Sequence, residues 1–170
     1  MRELVRRVAR IREVLDHHPD GPVLGYFPPG RVVSESDLPP GLAEVLAVTD
    51  GPWVGDIGVF SYDRQGPNRY LEQAVAIPDG EAGRWMCFGE RYQEPLLVHR
   101  DTGEVWWFPE NGVVWPDNPE FRKLTDTVEE FVVHYMLGPG YLDICVAPDD
   151  DEWARLLGEL GWADLSVLKG

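Results

Sequence analysis

The chain has 170 residues, 44% of them apolar, with seven Trp, six Tyr and six Phe, and a formal net charge of −15. That length and apolar content predict one domain with a sizeable core and exclude a disordered chain. Thirty acidic residues against fifteen basic ones argue against nucleic acid and against an anionic membrane surface as ligands, because both need clustered Lys and Arg.

The same charge suits a basic protein partner, since complementary fields speed encounter. An acidic surface that only keeps a protein in solution is the bland alternative. Cys87 and Cys145 belong to no CxxC or Cys/His cluster, so each reads as a small buried hydrophobe and no disulfide is expected. Arg6, Arg7, Arg10 and Arg12 interrupt any apolar run near the start, and no window is apolar for about 18 residues. No secretory signal and no membrane span are expected, which leaves the cytoplasm.

Leu4, Val8, Ile11 and Leu15 recur at helical spacing and predict an amphipathic helix over residues 2–16. His17-His18 follows at its end, where a cation is favoured, and too few ligands lie nearby for a metal site. Residues 19–37 are rich in Pro and Gly and predict a loop with a short strand at 23–27. A second helix is expected over 39–48, capped by Asp37 and ended by Gly51.

Strands are predicted at 54–60, 85–89, 96–99 and 104–108, with a further one at 113–115. Arg100-Asp101-Thr102-Gly103 joins two of them as a hairpin in which Gly103 takes a positive φ. Residues 61–83 are polar and predict a long surface loop holding at most one strand. If 104–108 is a strand, the adjacent Trp106 and Trp107 point to opposite faces of its sheet. A third helix is expected over 126–137, capped by Thr125 or Asp126 and stopped by Gly138-Pro139-Gly140. A final one is expected over 150–160, with Trp153, Leu156, Leu157 and Leu160 on one face.

The chain carries no P-loop, GxGxxG, HExxH or GxSxG pattern. His99 and His134 each stand alone, and the acidic pairs Glu129-Glu130 and 149–152 sit at helix starts, where the helix dipole explains them. No catalytic residue, cofactor or metal is expected.

Three features in this order resemble the SUKH superfamily. Leu38-Pro39-Pro40-Gly41-Leu42 through Val45-Leu46 to Asp50-Gly51 is similar to its proline-started helix closed by Asn/Asp-Gly. Residues 85–89 followed by Leu97-Val98-His99-Arg100-Asp101-Thr102-Gly103-Glu104-Val105-Trp106 resemble its strand–Asp-x-x-Gly–strand hairpin. Residues 124–132 resemble its late Phe-bearing helix. The resemblance spans about residues 38–137 of a single domain over 1–170, and a helical extension over about 141–170 lies outside it.

It implies an α+β fold with a mixed, largely antiparallel sheet flanked by helices. It also implies a non-enzymatic role: a cytoplasmic immunity protein that neutralises a cognate bacterial toxin by direct protein–protein binding. An acidic surface would suit a nuclease toxin with a basic groove. A regulatory or scaffold protein of the same fold is the second reading, and an enzyme with a dispersed acidic site the third. The chain departs from the family pattern at Pro52-Trp53, where small residues are usual, which singles out Trp53 as a partner anchor or a cap on the core. Asp56, Asp63, Glu90 and Tyr92 are its expected rim, because aromatic anchors ringed by charge are the common make-up of a binding hot spot.

Overall fold

The computed structural model describes residues 1–34, 37–65 and 69–169. Its centre is a seven-stranded meander in the order β1 (Gly25–Tyr26), β2 (Trp53–Val54), β3 (Ile57–Val59), β4 (Trp85–Arg91), β5 (Glu94–His99), β6 (Val105–Trp107) and β7 (Arg122–Thr125). All six pairings are antiparallel. With the helices packed on it, the fold is α+β, as expected, and the sheet is antiparallel throughout.

One face of the sheet carries the helices. The first, α1 (Arg2–His17), lays Leu4, Val8, Ile11 and Leu15 on it. A single turn, α2 (Gly21–Leu24), leads into β1. The Arg12 guanidinium reaches from α1 to the carbonyl oxygens of Phe27 at 2.8 Å, of Pro28, and of Val48 at 2.9 Å. Val48 ends α3 (Leu42–Val48), so Arg12 satisfies a carbonyl there that the helix itself leaves open. That helix starts later than expected: Gly41, at φ +81°, is its cap, and Asp37 lies outside it.

The late helix begins as α4 (Val128–Glu130) and runs on as a π-helix over Phe131–Met136. Its cap is Thr127, whose hydroxyl accepts from the Glu130 amide at 3.1 Å, rather than Thr125 or Asp126. Met136 ends this helix, so its carbonyl has no intrahelical donor and accepts from the Trp153 indole at 2.8 Å. Trp153 belongs to α6 (Glu152–Glu159), which follows α5 (Tyr141–Ile144) and is capped by Asp151. Tyr141, Trp153 and Leu157 are fully buried in the main core, so the C-terminal helical segment is an integral part of it.

Other differences follow the local chemistry. Residues 54–60 form two strands because Gly55, at φ +51°, turns the chain between β2 and β3. Residues 113–115 make no strand; a 3-10 turn at Trp115–Asp117 begins there, with Pro116 unable to serve a ladder. Segment 61–83 holds 3-10 turns and no strand among its described residues. The edge strand β7 lies where the sequence pattern predicts no strand. The Asp101-Thr102-Gly103 hairpin and the positive φ of Gly103, +77°, match expectation.

Strand β5 shows how both faces are covered. Leu96 and Val98 face the helices, whereas Leu97 faces a second core. Trp107 packs against the first core and Trp106 against the second, which places them on opposite faces as predicted. The second core is roofed by segments 61–83 and 109–121 and includes Leu71, Ile77, Trp85 and Phe108. Cys87 and Cys145 are both buried, and neither forms a disulfide.

Candidate functional site

Among the described residues, the second core lies over β4 to β6 and includes no residue of β1 to β3. On that open half, strand register sets a row of residues. Tyr26 lies opposite Trp53, Trp53 opposite Gly58, and Gly58 opposite Glu90. Cross-strand partners share a face, so Trp53 and Glu90 rise on the same side of Gly58. Glycine raises nothing, and the result is a cavity of about 510 Å³ lined by Trp53, Asp56, Gly58, Phe60, Glu90 and Tyr92 among others. A β-carbon at Gly58 would already stand 3.3 Å from that of Trp53.

Four of the five residues expected from sequence meet here: Trp53, Asp56, Glu90 and Tyr92. Asp63 does not line the cavity. It is exposed in the 3-10 turn Tyr62–Arg64 and pairs with Arg31 at 2.7 Å. Sequence reasoning missed Gly58, Phe60, Arg64 and Gln93, which also line it. A glycine inside a strand was the available signal for Gly58, since such glycines mark close approach of a ligand or another backbone.

Two tight turns form the rim. Tyr92 and Gln93 link β4 to β5 with φ +48° and +67°, both in the left-handed region that a two-residue hairpin of type I′ requires. The Tyr92 amide donates to the Asp56 carbonyl at 2.8 Å and binds this turn to the β2–β3 turn. The Tyr92 hydroxyl accepts from the Val146 amide at 3.2 Å and lies 3.6 Å from Cys145 Sγ. Burial, and then the hydrogen bond with Cys145, push its phenol up to about 12. Beneath the other turn, the Tyr141 hydroxyl donates to Asp151 at 3.0 Å, and a β-carbon on Gly55 would come within 2.8 Å of that hydroxyl. The rim is therefore held from below by the C-terminal segment.

Three of the side chains that line the cavity lack partners among the described residues. Among the described residues, neither the Asp56 nor the Glu90 carboxylate has a hydrogen bond or an ion pair. Of the seven tryptophans, Trp53 alone makes no contact with another ring or a guanidinium among the described residues; Trp85, Trp106, Trp107, Trp115, Trp153 and Trp162 all do. Its indole N–H also has no acceptor there. Arg64, on the cavity wall, lies 4.7 Å above the Phe60 ring. Nowhere among the described residues do three His, Cys, Asp or Glu side chains gather as a metal site, and no described helix is long and apolar enough to cross a membrane.

No family model and no solved structure matches the chain. A stretch of 78 residues is 40% identical to part of the Innate immunity activator protein of Homo sapiens, over 43% of this chain and 12% of that protein. The chain thus resembles a short piece of a much longer protein whose name links it to immunity.

Proposed function

We propose that this protein works by binding a basic protein partner through the open half of its sheet, and that it is an immunity protein of the kind its sequence resembles. The observation that supports this is the cavity itself. A tryptophan and two carboxylates that have no partner among the described residues line one concavity on a chain of net charge −15. Half-buried aromatics ringed by charge are typical binding anchors, and a strongly acidic surface suits a partner with a basic groove. A nuclease toxin, whose groove must hold phosphate, has that character.

Co-purification from the native cell, with wild type and with a Trp53→Ala/Glu90→Gln variant side by side, tests the reading. The wild type should retain a basic protein that the variant loses, and association should slow as salt rises. Adding the chain to the isolated partner should abolish that partner's enzymatic activity. A partner held equally by both forms, at a rate indifferent to salt, would sink the proposal. A partner bound through this face with its activity intact would make the protein a regulatory scaffold instead.

A further inference from the structure

We infer that the cavity receives an arginine side chain of the partner, its guanidinium laid on the Trp53 indole and held by the carboxylates of Glu90 and Asp56; this rests on the reading of the open face as the partner surface. Spacing is the first argument. Trp53 and Glu90 are separated by β3, so their backbones stand about 10 Å apart, two inter-strand steps. Gly58 fills none of that gap. A flat group stacked on the indole and bonded to the carboxylate on the far side spans it.

Chemistry is the second. Both faces of the opening call for a cation: an indole free of any ring or guanidinium contact, and carboxylates free of any donor among the described residues. Elsewhere this chain uses arginine on its aromatic rings repeatedly, with guanidiniums 5.0 Å from the rings of Trp107, Trp162 and Tyr62. Its own nearby arginines are otherwise engaged, Arg64 over Phe60 and Arg31 with Asp63 and Tyr62. Arginine fits better than lysine. Its planar fork can stack and bond a carboxylate through two N–H groups at once, while an ammonium is a compact, strongly hydrated charge.

The test uses N-acetyl-arginine amide as the probe and the indole N–H resonances of the full-length protein as the readout. The Trp53 resonance is the one missing from Trp53→Phe. It should shift saturably with the arginine amide, and much less with N-acetyl-lysine amide or the uncharged citrulline amide. Glu90→Gln should weaken the response about tenfold, the usual effect of losing a charged hydrogen-bond partner. The other six indole resonances, unmoved, show that the variant is folded, and Asp56→Asn in the exposed turn should weaken binding in the same direction. An unmoved Trp53 resonance, or an equal response to lysine and citrulline, overturns the arginine assignment. If partner capture still depends on Trp53 and Glu90 in that event, the surface stands and only its occupant is wrong. If capture is also indifferent to them, both readings fall together.

Discussion

The two halves of the outer sheet face are built from the same kinds of residue and end in opposite states. Over β4 to β6, each aromatic finds another: Trp85 contacts Trp106 at 5.5 Å and Phe121 at 4.9 Å, and Phe108 stacks on Phe121 at 4.9 Å. Over β1 to β3, Tyr26 is 54% exposed and Trp53 makes no ring–ring contact among the described residues. The difference is the roof. The chain leaves the sheet at Phe60-Ser61, where the Tyr62 amide donates to Asp50 at 2.7 Å, and Leu71, Ala74 and Ile77 then pack in the core over β4 to β6. A domain of this size can cover both faces of its sheet, and a half left uncovered by the described residues beside a complete core is what the proposed partner surface requires.

That contrast is sharpest at Phe108 and Trp53. Phe108 is 2% exposed and touches both Phe121 and Trp115. Phe108→Ala should lower unfolding free energy by about 3–5 kcal/mol through lost burial and the cavity left behind. Urea titration checks this, and a loss under about 1 kcal/mol would show that the roof is a loose flap rather than a second core.

Trp53→Ala should do the reverse. Its side chain is half-buried against an empty position, so stability should fall by no more than about 1 kcal/mol, within the ordinary range for a partly exposed site. Partner affinity should fall by about 2 kcal/mol or more, roughly thirtyfold. Measuring both on one preparation decides between anchor and cap. Equal affinity with a large stability loss would make Trp53 part of the core and erase the contrast between the halves.

How far the sequence reaches differs between these regions for physical reasons. The amphipathic stripes of α1 and α6 and the Asp101-Thr102-Gly103 turn are local signals, and all appear where expected. Strand β7, Arg-Lys-Leu-Thr, has neither alternation nor apolar bulk; it is a strand because β6 pairs with it, through a register shift at Val105/Trp106. Val113-Val114-Trp115 has the composition of a strand, yet Pro116 and the roof contacts of Trp115 decide against it. At the site, Trp53, Asp56, Glu90 and Tyr92 were legible because they flank strand ends that tight turns bring together. Asp63 lies elsewhere because its 3-10 turn is anchored by the distant Asp50, which accepts from the Tyr62 amide, and its side chain pairs with Arg31 away from the cavity. Gly58 acts by lacking a side chain, and only the register across three strands reveals that.

The rim ties the open half to the C-terminal segment, and pH probes that tie. The Tyr92 phenol is raised, by burial and then by Cys145, from an ordinary value near 10 to about 12. A group raised in the folded state contributes stability that is complete below its unfolded value and is lost as pH climbs through the folded one. The loss should therefore fall between pH 10 and 12, reduced in size because the phenol is partly solvated. Tyr92→Phe should flatten that limb of the stability curve, read by denaturation at a series of pH values. A limb of the same steepness in the variant would assign it to other groups.

The smallest expected effect concerns the same turn. A type I′ hairpin favours Asn-Gly, and this chain offers Tyr92-Gln93, two side chains held at positive φ. Tyr92 is retained there by its contacts with Val146 and Cys145. Gln93 has no such compensation: its side chain is exposed and makes no hydrogen bond among the described residues. A non-glycine residue in the left-handed region is strained by about 1 kcal/mol or more, and glycine removes that strain at some cost in unfolded-state entropy. Gln93→Gly should thus stabilise the protein by about 0.5–1 kcal/mol. Because Gln93 lines the cavity, the same variant separates two reasons for tolerating the strain. A more stable protein with unchanged partner affinity makes Gln93 an incidental occupant of the turn. A more stable protein that binds its partner less tightly means the amide side chain is kept, against local preference, for contact across the open face.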